Sequence, residues 1–308
     1  MQHVTVLQQE AVEGLSLSPS DIVVDATFGG GGHARAIIAR LEEKGTYIGI
    51  DADATAFIGQ SLQTEKVTVH LVNDNFRNIT QILGSLHIEH ADAMLADLGW
   101  RLDQFIEGKK GFSFKEDEPL LMTYGDPELY TFTAHDIVNE WEESSIADII
   151  FGYGEERQSR RIAKAIVHAR KQAPITTTLQ LTACIESVIP RRHFHKVHPA
   201  TKTFQALRMA VNDELGALET FLKEGFQALA PDGRMAIITF HSLEDRVVKQ
   251  YFRMLKDAGL GELVTKKPIV ASPEELEVNP RARSAKLRII TKQQRSSHYE
   301  PNSHNQSE

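Results

Sequence analysis

Short apolar runs alternate along this chain with stretches in which apolar residues recur every three or four positions. "DIVVDAT" (21–27), "TYIGID" (46–51), "VTVHLVN" (67–73), "ADAMLADL" (91–98) and "RMAIITF" (234–240) have the length and apolar character of buried strands. Between the first four, segments 31–43, 53–63 and 77–86 read as helices. Such βαβα repetition predicts an α/β fold whose parallel sheet is covered by helices on both faces.

The alternation stops after the fourth strand. From Gly111 to Arg208 the pattern is helical, and "EERQSRRIAKAIVHARK" sets Ile162, Ala165, Ile166 and Ala169 on one face with cations opposite. A long helix over 209–230 leads back to the strand at 234–240. Another helix follows over 242–259, with Ser242 and Asp245 suited to a capping box and Gly259 to the stop. "SPEELE" (272–277) opens a short helix with Ser, Pro and Glu at N-cap, N1 and N3. "AKLRIIT" (285–291) reads as a final edge strand. The expected division is an α/β body from 1–110 and 209–292, an inserted helical subdomain over 111–208, and a disordered polar tail over 293–308.

Composition narrows the class. With 41% hydrophobic and 25% charged residues the 308-residue chain is of ordinary globular make-up. Its one cysteine, Cys184, rules out an internal disulfide framework. "MQHVTVLQQE" has no secretory n- and h-region, and no apolar run approaches the roughly 18 residues of a membrane helix. A soluble, cytoplasmic protein without a membrane partner is expected, and a homodimer is left open. The net charge of −8 hides an asymmetry: Phe151 to Arg208 holds eleven Lys/Arg against three Asp/Glu, whereas the rest holds 23 against 39. Segregation of this kind points to a polyanion-facing segment on an acidic body.

Candidate chemistry begins at "DATFGGGGHAR" (25–35), between the first strand and its helix. Gly29 to Gly32 let the main chain turn sharply and bring amide N–H groups close to a ligand. Gly29, Gly31 and Ala34 satisfy G-x-G-x-x-A, and Asp51 ends the second strand where an acid accepts ribose hydroxyls. No Gly-Lys-Ser/Thr follows, so this is not a P-loop. The motif indicates a nucleoside-bearing cofactor and does not separate NAD from S-adenosylmethionine.

Further blocks separate them. "HVTVLQQE" (3–10), "GIDAD" (49–53), "NFRNI" (75–79), "GFSF" (111–114), "YGEERQSRRIAKAIVHAR" (153–170), "HPATKTFQALRMAVNDELGALE" (198–219), "ITFHSLEDRVVKQYF" (238–252) and "NPRARSAKLRI" (279–289) join the glycine loop in a resemblance that runs nearly end to end. The chain resembles the S-adenosylmethionine-dependent methyltransferases of the MraW or RsmH family, which modify N4 of a cytosine in 16S ribosomal RNA. The resemblance implies a Rossmann-like class I methyltransferase sheet with an inserted substrate-recognition domain. It implies S-adenosyl-L-methionine as cofactor, held by Gly31, Gly32, His33, Asp51, Phe76, Asp97 and Gln104. The partner it implies is 16S rRNA in the small ribosomal subunit, methylated in the decoding region.

The chain departs from the family at two segments. Where the family typically reads Asp-Leu-Gly-Val-Ser-Ser-Pro-Gln, this chain reads "DLGWRLDQ" (97–104), and "EPLLMTYG" (118–125) replaces a second family stretch. An exocyclic cytosine amine is a poor nucleophile, because its lone pair is conjugated into the ring. An enzyme must hold it in line with the sulfonium methyl and offer acceptors to its N–H groups. Asp97 is expected to orient the amine, and Trp100 to stack on the extruded base, a contact worth about 1–3 kcal/mol.

The basic stretch "RRHFHKVHPATKTFQALR" (191–208) supplies candidate RNA contacts: Arg191, Arg192, His198, Lys202 and Arg208. His241, after the last core strand, joins them on the reactive edge. His193, His195 and His198 do not form a paired ligand set, so no metal is expected. Two other readings are a ribosome-assembly factor that binds cofactor and RNA without efficient turnover, and a dehydrogenase, which a nicotinamide-dependent absorbance change would reveal.

Overall fold

The computed structural model of this chain describes residues 4–62, 64–99, 109–189 and 198–294. Among these, seven strands form one sheet: β1 (Ile22–Asp25), β2 (Thr46–Asp51), β3 (Thr68–Asn73), β4 (Ala91–Asp97), β5 (Leu229–Thr239), β6 (Gly261–Leu263) and β7 (Lys286–Lys292). Their spatial order is β3-β2-β1-β4-β5-β7-β6. The first five run parallel, and β7 pairs antiparallel with β5 and β6.

Strand order reverses between β1 and β4, so the connections leaving those strands diverge there. Open parallel sheets hold their ligands at the carboxyl ends beside such a reversal. The reversal also explains why the strand interiors are so apolar. Val23 and Tyr47 face one helical layer together with α1 (Gln8–Leu15) and α2 (Gly32–Ile38). Val24, Ile48 and Ile50 face the other layer, with α3 (Ile79–Ser85). The period of two along a strand thus fills two hydrophobic layers.

Five further helices surround a third cluster of buried residues: α4 (Ala134–Glu140), α5 (Glu143–Gly152), α6 (Ser159–Arg170), α7 (Thr178–Val188) and α8 (Thr201–Val211). Capping boxes start two of them, Thr133 with Asp136 and Thr177 with Gln180. In α6, Ile162 and Ile166 are buried as expected and Arg160, Arg161 and Lys164 are exposed, but Ala163 is the buried alanine, while the expected Ala165 and Ala169 are half-buried.

Several expectations need correction. The helix expected over 53–63 shrinks to a 3-10 turn, Ala54–Phe57, because Gly59 then adopts φ 71°. The long helix over 209–230 is two helices, α8 and α9 (Glu214–Ala228), broken at Asp213 with φ 45°. Phe204, Leu207 and Val211 belong to the third cluster, so the packing changes partner at residues 212–213, not at 208. The capping box of α10 (Ser242–Asp257) is formed by His241 and Glu244, one residue earlier than expected. Ser272 caps α11 (Pro273–Val278) as expected. β5 begins five residues before the expected Arg234, across a register shift that accommodates "APDG". Finally, β7 is not an edge strand. Leu287, Ile289 and Ile290 are buried, and the three-residue β6 closes the sheet beside them. The tail from residue 295 lies outside the described residues.

Candidate active site

Two clefts open at the carboxyl ends of the parallel strands and share a wall made of Thr27, Gly29, Asp97 and Gly99. The first runs over β1 and β2 and is lined by Asp51, Asn75, Phe76, Tyr124, Asn212, Glu214 and Glu244 among others. The second lies on the far side of Asp97, toward His33, Phe112, Phe114, Phe240 and His241.

The glycine loop forms the shared edge. Gly29 and Gly31 have φ 54° and 69°, a region in which a Cβ is strained. A Cβ at Gly32 would run into Thr5 Oγ1, so the N-terminal segment lies directly on the loop. Two amides expected to face a ligand are used inside the protein: Gly29 N–H donates to Asp51 Oδ2 (2.9 Å) and Gly31 N–H to Phe28 O (2.9 Å). The loop therefore clamps the acid that ends β2. Asp53 N–H donates to the other Asp51 oxygen at 2.9 Å. Each carboxylate oxygen has lone-pair capacity beyond one such bond, so Asp51 still suits a pair of vicinal hydroxyls. Phe76 follows β3 and is braced edge-on by Phe221 at 5.4 Å, presenting a flat apolar surface to the same cleft.

Asp97 ends β4 on the common wall. Its N–H donates to Thr27 Oγ1 (2.6 Å), its Oδ1 accepts from Gly99 N–H (3.1 Å), and its Oδ2 lies 3.8 Å from His33 Nδ1. Burial pushes its carboxyl up to about 7; the Gly99 N–H works against this, and the negative Asp25 and Glu244 add to it. Asp25 is fully buried one strand away, where burial raises it to about 6 against hydrogen bonds from Tyr47 OH (2.8 Å) and Thr27 N–H. Near neutral pH the wall thus holds a carboxyl poised between its two states. A cation placed beside it would draw out the proton.

The RNA candidates do not share one environment. Lys202 is exposed, with Nζ 2.9 Å from Glu155 O. His198 is half-exposed and stacks on Phe114 at 4.4 Å with a 12° interplanar angle, while its Nε2 lies 3.3 Å from Glu186 Oε1. His241 serves chiefly as a cap: its Nδ1 accepts from Glu244 N–H (3.4 Å), and its Nε2 lies 2.9 Å from Glu244 Oε1. Arg208 corrects the expectation outright. It is 2% exposed and clasps Glu214 with two bonds of 2.6 and 2.8 Å, so it meets no phosphate. Burial withdraws the guanidinium from water, and Glu214, with Tyr124 and Glu244 nearby, offsets that cost. Trp100, Gln104, Arg191 and Arg192 lie outside the described residues.

Glu214, Tyr124, Asn212 and Glu244 were not read as site residues from the sequence. Tyr124 OH donates to Glu214 Oε1 (2.7 Å), and burial holds that phenol well above its usual value. Asn212 accepts from Tyr124 N–H and donates to Met122 O and Arg208 O. Tyr124 meets Asn212 and Glu214 across about ninety positions of chain, and no local motif signals that convergence. Among the described residues Glu214, His241 and Glu244 place potential ligand atoms within 4.8 Å of one another. Glu214 is committed to Arg208 and Tyr124, and Glu244 also accepts from Phe240 N–H. The group reads as a hydrogen-bonded network.

A 3-2-1-4-5 parallel order with an antiparallel strand set in before the last, and clefts meeting at the end of β4, is a doubly wound α/β sheet with its ligand site at the reversal of strand order. The chain belongs to the MraW methylase family, whose profile matches residues 1–293. It is 45% identical to the ribosomal RNA small subunit methyltransferase H of Symbiobacterium thermophilum, over 95% of this chain and 97% of that protein. It is 44% identical to the enzyme of the same name from Brevibacillus brevis, over 94% and 98% of the two chains. The chain is accordingly an enzyme, a methyltransferase. No helix among its described residues is long and apolar enough to cross a membrane.

Proposed function

We propose that this enzyme transfers a methyl group from S-adenosyl-L-methionine to the N4 amine of a cytosine in 16S rRNA of the small ribosomal subunit, in the decoding region. The observation that carries the reading is Asp97 on the wall common to two clefts, one fitted to a nucleoside and the other facing the helical layer. The relatives' names supply the substrate class, and the cationic face of α6 agrees with it.

The donor fits the residues present. Asp51 suits its ribose and Phe76 its adenine, and Gly29 beside them lines the same cleft with a positive φ. When bound, the donor supplies an electrophilic methyl on a positively charged sulfur. Asp97 has two tasks in this account. Its carboxylate accepts an N–H of the incoming amine, turning the nitrogen lone pair toward the methyl, and its negative charge faces the sulfonium. Methylation would leave the nitrogen with one proton to shed, and Asp97, raised to about 7, would be a matched acceptor for it. Gly99 N–H, donating to Oδ1, holds the orientation of that carboxylate, and His33 Nδ1 lies 3.8 Å from Oδ2. Trp100 is proposed to stack on the base, and Gln104 to complete the donor site, as the family resemblance implies. No metal is invoked, and the chain is proposed to act in the cytoplasm.

Incubation with tritiated donor and small subunits lacking the modification tests the reading. Label at N4 of one cytosine, located by mass spectrometry of RNA fragments, is the expected result. Binding of donor and subunit without label would instead identify an assembly factor, and label on another atom would overturn the assignment of the acceptor.

A further inference from the structure

A groove on the far flank of the sheet has no part in the methyl transfer. It lies between α10, β7 and the segment after β6, and its volume is about 300 Å³. The buried Phe252 and Ile289 and the half-buried Leu263 line it. Lys249, Arg253 and Lys256, spaced by four and three residues, form one exposed stripe along α10. The exposed Lys266 joins them from beyond β6, and Arg288 from β7. Acids do little to cancel this charge. Arg253 Nε lies 3.8 Å from Asp257 Oδ2 with both side chains largely in water, a pair of small worth. Asp245 accepts from Lys286 Nζ (2.9 Å) and from Arg288 Nε (2.7 Å), which uses one of the five N–H groups of that guanidinium. Among the described residues no acid forms an ion pair with Lys249, Lys256 or Lys266. Residues 249–267 hold five Lys/Arg against two Asp/Glu, in a body whose acids otherwise outnumber its bases. Like charges gathered this way repel one another, and a seated polyanion relieves the repulsion.

We propose that this groove is a second RNA-docking surface, which seats the phosphodiester backbone of ribosomal RNA well away from the reacting base. The inference rests on the reading of the protein as an rRNA methyltransferase and adds a contact remote from the chemistry. Spacing supports it. At 1.5 Å per residue, Lys249 to Lys256 covers roughly 10 Å of helix axis. A nucleic-acid strand carries a phosphate about every 3.4 Å of its own axis, so the stripe faces about three of them. The type of contact follows from the residues: the cations are point donors, and Phe252, the one ring lining the groove, is 1% exposed and offers no stacking face. Such a surface holds the backbone and fixes register without reading bases. Its place in the molecule agrees. α10 starts at the reactive edge, and its first turns are tied to the segment before α6. Glu155, four residues ahead of α6, accepts from Ser242 Oγ (2.7 Å) and Arg246 Nη2 (3.0 Å). The two helices that carry exposed cations therefore start from one junction, and one long polyanion can follow both.

Charge reversal tests this with the full chain. The triple variant Lys249→Glu, Lys256→Glu and Lys266→Glu is expected to bind small subunits about tenfold more weakly, and its slope of log affinity against log salt should flatten by roughly 2, at 0.7–0.9 per phosphate contact. Donor affinity, measured by calorimetry, should stay at the parent value. Unchanged affinity and slope would overturn the proposal. Weaker binding to small subunits with parent affinity for protein-free 16S rRNA would also overturn it, because the groove would then dock an acidic ribosomal protein. Directed cleavage gives a second measurement that does not depend on the triple variant folding. An iron–EDTA reagent is coupled at Lys256→Cys in a Cys184→Ser background and, separately, at Lys164→Cys of α6. Scission of 16S rRNA from position 256, at sites distinct from those cut from position 164, is expected; no scission from position 256 would overturn the docking surface. Should the parent enzyme transfer no label to small subunits, the proposed function fails on its own, and the cleavage pattern still decides whether RNA lies along this groove.

Discussion

The strand ends and the helical layer handle charge in opposite ways. At the strand ends the acids are withdrawn from water: Asp25 is fully buried and Asp97 partly so, and both are pushed toward neutrality. In the helical layer the cations of α6 stand exposed, in full contact with solvent and salt. The first arrangement answers a single small cation at close range, because a poised carboxyl becomes negative only when one arrives. The second answers a long polyanion, where many weak screened contacts sum. A net charge of −8 describes neither region.

The strongest way to break this contrast is through Arg208, a cation of the basic stretch that behaves like the buried acids. Arg208→Ala leaves the partly buried Glu214 without its counter-charge, with the Tyr124 hydroxyl as a remaining donor. A loss of about 3–5 kcal/mol is expected, read by urea denaturation. If stability falls by less than about 1 kcal/mol, the Arg208–Glu214 pair is not the buried clasp described here.

Next in size is Asp97→Asn. Removing the acceptor charge should lower kcat about 100- to 1,000-fold in the tritium-transfer assay. The same change relieves a carboxyl held near 7 instead of its usual 3.8. A raised acid costs the fold stability once the pH passes its unfolded value, so at pH 8 the variant should melt higher than the parent. Loss of activity together with a lower melting temperature would argue that Asp97 holds the wall up and does little chemistry.

Reversing Arg160, Arg161 and Lys164 to Glu probes the other side of the contrast. KM for the small subunit should rise, with kcat and the melting temperature unchanged. The slope of log affinity against log salt should flatten by roughly 0.7–0.9 for each phosphate contact removed. An unaltered slope would place RNA elsewhere.

The smallest effect concerns pH. Below about 7 the free Asp97 is protonated, and the positively charged donor favours its ionised form. Donor affinity should therefore rise with pH, by up to about tenfold per unit, and level off above 7. The demethylated product lacks the positive sulfur, so its affinity should show a flatter profile. Calorimetry from pH 5.5 to 8.5 checks both curves, and parallel profiles would remove Asp97 from the donor's surroundings.

The strands were legible because each is short, apolar and bounded by turn residues; β2 matches its sequence reading at both ends. The turn at the glycine loop was legible because its signal is local, whereas the inward use of the Gly29 and Gly31 amides was not. What escaped has a common cause. Arg208 looked like a surface cation because burial depends on the partner Glu214, six positions on and past a helix break that no glycine or proline announces. Tyr124 and Glu244 reach the cleft from separate elements, and spacing along the chain does not encode that meeting. The start of β5 was hidden because Pro231, Asp232 and Gly233 resemble a turn, and the structure absorbs them as an irregularity in the strand.

Asn212 gives the molecule a mechanical property. Its amide is fastened to Met122, Tyr124 and Arg208 at once, and it stands where α8 ends and the donor cleft begins. Any tilt of α8 as a large partner leans on the helical layer must either break those links or drag the donor cleft with it. The tilt of α8 and the shape of that cleft are therefore tied together through one amide side chain.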